Sequence, residues 1–134
     1  MGRRILSILA GLGVGMLIIT IFRVVIFSYY PFPEQLTWKD SQDMNTYFNG
    51  LPDAAFVMIM ASHVIGALLG TLITSLISKR ARFTNGIITG SIIFAIIFVV
   101  NFTYDFPKLY LMIDTFLTAI AAFSGAAFGK GRKV

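Results

Sequence analysis

Four strongly polar side chains interrupt the long apolar stretches of this sequence, and they are the residues most able to carry chemistry. They are Arg23, His63, Asn101 and Asp114, one in each apolar stretch. An arginine and an aspartate can form an ion pair, and histidine as a residue type changes charge near neutral pH. Inside a membrane such groups either fix the register of helices or line a cavity for an anion, a proton or a lipid headgroup.

The elements that must position these residues are four apolar segments, each long enough to cross a hydrocarbon core roughly 30 Å thick. They cover about residues 5–30, 54–78, 83–103 and 109–128. A chain of 134 residues with 57% hydrophobic and 13% charged residues cannot supply the polar surface of a soluble domain. Because backbone groups in lipid must be satisfied within each segment, we expect an all-α integral membrane protein, a single four-helix transmembrane bundle.

The basic residues are concentrated on one side of these spans. That side carries Arg3, Arg4, Lys79, Arg80, Arg82, Lys130, Arg132 and Lys133, against only Lys39 and Lys108 on the other. The positive-inside rule therefore places both termini in the cytoplasm, in a multi-pass protein of the bacterial inner membrane. Since the positive charges act as topology signals, we expect no nucleic-acid partner despite the formal net charge of +5.

Depth in the membrane suggests which polar residues meet. Arg23 lies roughly 10 Å below the outer end of the first span, and Asp114 roughly 7 to 8 Å below the outer end of the fourth. An unpaired charge in hydrocarbon costs at least about 2.5–3.5 kcal/mol. We therefore predict an Arg23–Asp114 ion pair, with His63 and Asn101 completing the cluster. Two alternatives remain: Arg23 reaches up to the outer headgroups, or the cluster lines a ligand cavity.

One long connection, residues 31–53, joins the first two spans on the outer side. Asp40 or Ser41 can cap a short helix that reaches about Asn49, and Gly50 can end it. The apolar face of this helix would either lie on the membrane surface and cover the outer mouth of the bundle, or form a docking surface for a larger partner.

Small residues recur at four-residue spacing in every span. The glycines concerned are Gly11, Gly15, Gly66, Gly70, Gly86, Gly90, Gly125 and Gly129. Lipid tails are as apolar as leucine, so helices associate in membranes through close packing, which small residues permit. These faces would either pack within one monomer or bind a second copy or another subunit.

Most catalytic chemistry has no carrier in this sequence. It contains no cysteine and a single histidine, so no metal site with ordinary ligand spacing can be assembled. No phosphate-binding loop and no Ser–His–acid pattern occurs. We expect no enzymatic activity, no cofactor and no bound metal.

Three segments carry a family resemblance: "YPFPE" after the first span, "SHVIGALLGTLITSLISKR" in the second, and "VVNFTYDFPKLY" before the fourth. With these, the chain resembles a group of small uncharacterised bacterial four-span membrane proteins. The resemblance implies the fold and the location only. Small multidrug transporters share the number of spans, but they have an acid in the first span where this chain has Arg23.

Two functions follow as hypotheses. The first is a non-enzymatic accessory or interaction subunit of a larger membrane complex, with membrane lipids and other subunits, or itself, as partners. The second is a small oligomeric transporter or channel that uses the intramembrane Arg/His/Asp cluster.

Overall fold

The computed structural model describes residues 1–131, and they form five helices. Their bounds are Gly2–Tyr29 (α1), Ser41–Asn49 (α2), Asp53–Ile77 (α3), Arg82–Thr103 (α4) and Lys108–Lys130 (α5). The four long helices are long and apolar enough to cross a membrane. They begin and end within three residues of the predicted spans, so the predicted all-α class and the four long apolar helices are confirmed. Arg132 and Lys133, used above as topology signals, lie outside the described residues.

The short helix α2 lies in the connection between α1 and α3. Asp40 caps its first turn by accepting a hydrogen bond from the Gln42 backbone N–H at 2.8 Å. Such a cap satisfies one of the free N–H groups of a helix start. We call the end of the bundle that carries α2 the loop end, and the opposite end, where α1 begins and α5 ends, the terminus end.

Helix α3 lies at the centre of the bundle. It packs against α1 on one side and α5 on the other, and α4 contacts all three of these helices. Within the described residues α1 and α5 do not contact each other. They therefore occupy opposite corners, separated by α3 and α4.

The predicted small-residue faces lie inside this bundle. A methyl group added to Gly15 would lie 3.0 Å from the Gly66 carbonyl oxygen, and one added to Gly70 would lie 2.8 Å from the Gly11 carbonyl oxygen. The faces of α4 and α5 meet in the same way, with Gly86 against Ala126 and Gly90 against Ala122. On α5, Gly125 and Gly129 also approach α3, at the carbonyl groups of Leu68 and Leu72. The helices come this close because neither surface carries a larger side chain.

A buried hydrogen-bond network joins three helices at the terminus end. Arg4 Nε donates to Asn85 Oδ1 at 2.8 Å, and Asn85 Nδ2 donates to Ser78 Oγ at 3.1 Å. Ser78 in turn donates to Ser7 Oγ at 2.8 Å. The three uncharged members are almost completely buried, so this end of the bundle is closed by paired polar groups.

Candidate functional site

Asp114 is the only acid within the four spans away from a helix end, and its surroundings define the candidate site. The residue is completely buried on α5. Its carboxylate lies 2.9 and 3.1 Å from His63 Nδ1 on α3, and it also accepts a hydrogen bond from Asn101 Nδ2 on α4. When this carboxylate is ionised it can only accept hydrogen bonds, and Nδ1 is then the donor.

The predicted Arg23–Asp114 pair is wrong. The ion pair within the described residues joins Asp114 to His63 instead. Arg23 is on α1 and Asp114 is on α5, and these two helices do not touch. The prediction was based on the similar depth of Arg23 and Asp114 in the membrane. The central helix α3 lies between their two helices, and its own residue His63 is the partner of Asp114.

Arg23 lines a cavity at the loop end, of about 320 Å³. His63 and Asn101 also face this cavity, while Asp114 lies behind them. The lining contains residues of α1, α2, α3 and α4 and of the segments that follow α1 and α4. It consists of Ile19, Arg23, Ile26, Phe27, Trp38, Met44, Tyr47, Phe48, Ile59, Ser62, His63, Val100, Asn101, Tyr104 and Phe106. A mostly apolar lining with a few convergent polar groups is typical of a small-molecule site.

The guanidinium of Arg23 makes no hydrogen bond or ion pair with any described residue. Two acids of the connection are already engaged locally: Asp43 accepts the Thr37 backbone N–H at 2.8 Å, and Asp40 caps α2. Asp114 is engaged by His63 and Asn101. Arg23 is therefore a cation in the cavity lining without a protein partner, and such a charge attracts an anion.

Three buried polar atoms within the described residues have no hydrogen-bond partner: Asn101 Oδ1, Tyr110 Oη and Thr118 Oγ1. Tyr110 and Thr118 lie four residues before and after Asp114, so the three share one face of α5. Burying an unpaired polar group costs about 1–3 kcal/mol.

Aromatic side chains close the loop end of the cavity. Tyr47 of α2 donates its hydroxyl to the Tyr30 carbonyl oxygen at 2.6 Å, and burial raises the pKa of the Tyr47 phenol. Trp38 stacks on Phe32 with ring centroids 4.1 Å apart and meets Phe27 edge-on at 4.8 Å. Together they tie α2 and the connection to the end of α1.

The structure thus brings together three of the four predicted cluster residues, and it places Arg23 in the lining of the cavity that His63 and Asn101 also line. Sequence reasoning missed Tyr110, Thr118 and the terminus-end residues Ser7 and Asn85. The spacing of four residues on either side of Asp114 was a usable signal for the first two, since it places them on the face of the buried acid.

Comparisons with protein-family models, with curated proteins and with solved structures find no match. The function is therefore inferred from the geometry of the chain.

Proposed function

We propose that this chain is a non-enzymatic, multi-pass protein of the bacterial inner membrane, of the small carrier type, that binds its ligand in the loop-end cavity. Both termini lie in the cytoplasm, because most basic residues border that side, and the cavity lies in the outer half of the membrane. This is the transporter alternative raised by the sequence, now with a defined binding site.

One observation carries the proposal: Arg23, a cation without a hydrogen-bond or ion-pair partner among the described residues, lines a mostly apolar cavity together with His63 and Asn101. Charged side chains within membrane spans are costly and usually pair with another group. A cation kept without a protein partner in such a cavity is the arrangement expected of a site that is completed by a ligand.

The proposal is tested by filling the cavity. Val100 lines the cavity, whereas its neighbour Val99 is 63% exposed on the outside of the same helix. We expect native mass spectrometry of gently extracted protein to show a bound non-protein mass on the wild type and on Val99→Trp, but not on Val100→Trp. A bare wild-type protein, or equal retention by both variants, would contradict the proposal.

The accessory-subunit hypothesis remains a second candidate because of one surface. A shallow apolar groove of about 700 Å³ runs along α4 and α5, and its lining includes Phe94, Phe102 and Phe116. A helix of a larger complex could lie there, whereas the small-residue faces are occupied by contacts inside the bundle. This candidate predicts a stoichiometric protein partner after gentle extraction, and it fails if only the chain itself is recovered.

A further inference from the structure

We infer that the ligand of the loop-end cavity is an anionic phospholipid, with its phosphate on Arg23. This inference rests on the proposed function and names its ligand class. Three features of the cavity support it: its charge, its position beside the lipid-facing surface of α1, and its lining.

The charge of the cavity selects an anion. Arg23 makes no hydrogen bond or ion pair with a described residue, and the buried carboxylate of Asp114 is engaged by His63 and Asn101. A guanidinium offers a planar fork of donors that matches a phosphate and binds it through two parallel hydrogen bonds. A zwitterionic or neutral head would leave this charge only partly compensated.

Arg23 connects the cavity to the lipid-facing surface of α1. It lines the cavity and is also exposed on the surface of α1, within a helix long and apolar enough to cross a membrane. Helices α1 and α4 meet through Arg4 and Asn85 and around Ile93. Further towards the loop end both helices line the cavity, together with residues of α2. We therefore place the entrance for a membrane lipid beside Arg23.

The lining fits a lipid better than a soluble anion. Most of it is aliphatic or aromatic, including Ile19, Ile26 and Ile59, and buried apolar surface of this kind favours an acyl chain. A volume of about 320 Å³ accommodates a headgroup and part of one chain, while the remaining chain stays among the bilayer lipids.

The test uses delipidated full-length protein and two lipids with identical chains, phosphatidylglycerol and phosphatidylcholine, titrated in native mass spectrometry. For the wild type we expect phosphatidylglycerol to bind about tenfold more tightly, the order expected for one charge-assisted hydrogen-bonded contact. Arg23→Gln should reduce this preference to about onefold. Lys39→Gln removes a cation that does not line the cavity and should leave the preference unchanged.

Each other outcome has a defined meaning. Equal binding of the two lipids that Val100→Trp abolishes would overturn the anionic assignment and leave the proposed cavity function standing. Binding that Val100→Trp does not alter would overturn both. Displacement of phosphatidylglycerol by millimolar inorganic phosphate would show that a soluble anion suffices, and would overturn the lipid assignment.

Discussion

At the scale of single residues, Asp114 pairs with His63 in the structure, whereas the sequence predicted a pair with Arg23. A buried carboxylate needs hydrogen-bond partners, and Asp114 finds them in His63 and Asn101. Removing one partner of a buried hydrogen bond costs about 1–3 kcal/mol, because the remaining polar group stays buried without a partner. The pair therefore acts first as a constraint between α3 and α5.

A double-mutant cycle tests this assignment. We expect His63→Ala and Asp114→Ala to show a coupling of about 1–3 kcal/mol in the free energy of unfolding, because they are in direct contact. Arg23→Ala and Asp114→Ala should be additive within about 0.5 kcal/mol, since their helices do not touch. The measurement is unfolding in mild detergent. Strong coupling between Arg23→Ala and Asp114→Ala would contradict this expectation and support an Arg23–Asp114 pair.

Tyr47 gives a second prediction, on pH. Burial raises its pKa in the folded state above the ordinary value near 10, so its contribution to α2 docking is complete below about pH 10 and is lost as pH rises through the higher folded value. Trp38, the single tryptophan, reports on this region by fluorescence. Tyr47→Phe should remove this alkaline transition together with the hydrogen bond to Tyr30, and an unchanged transition in that variant would exclude Tyr47 as its source.

At the scale of elements, the contact between α1 and α3 depends on the absence of side chains at the crossing. A methyl group added to Gly11 would meet the Gly70 carbonyl oxygen and the Thr74 hydroxyl, whereas one added to Gly13 would meet nothing within 4 Å. The two positions lie two residues apart on one helix, but only the first faces the bundle. Tight packing therefore belongs to one face of α1.

Alanine substitutions make this contrast measurable. We expect Gly11→Ala to lower the free energy of unfolding by about 1–3 kcal/mol through overpacking. Gly13→Ala should be neutral or slightly stabilising, because alanine favours helix more than glycine by about 1 kcal/mol. Both are measured by denaturant titration in the same detergent. Equal losses in the two variants would mean that the Gly11 crossing is not tight in solution.

At the scale of the whole molecule, the bundle has two unlike ends. The terminus end is closed by glycine contacts and by the Arg4–Asn85–Ser78–Ser7 network. The loop end contains the cavity, and residues of α2 form part of its lining. This difference between the two ends, together with the distribution of basic residues, supports the proposal of a binding site near one side of the membrane only.

The absence of native cysteine makes the orientation testable with single introduced cysteines. Gln42 and Lys79 are both exposed, at the loop end and between α3 and α4 respectively. We expect an impermeant maleimide to label Gln42→Cys in intact cells and Lys79→Cys only after the membrane is permeabilised. The opposite pattern would invert the proposed topology and place the cavity in the cytoplasmic half.

Sequence alone determined the number of long helices, their bounds within three residues and the all-α class. These are local properties, because the length and hydropathy of each segment decide whether it can cross a membrane. The sequence also placed His63, Asn101 and Asp114 within reach of one another, since position along a helix fixes depth.

Only the tertiary structure decided which groups pair. Depth does not specify the order of helices around a bundle or the direction in which a side chain points. Those depend on which small-residue faces meet: Gly66 and Gly70 of α3 receive α1, while Gly125 and Gly129 bring α5 against the other side of α3. That packing sets α1 and α5 at opposite corners. It brings Asp114 into contact with His63 and Asn101, and it places Arg23 in the lining of the cavity.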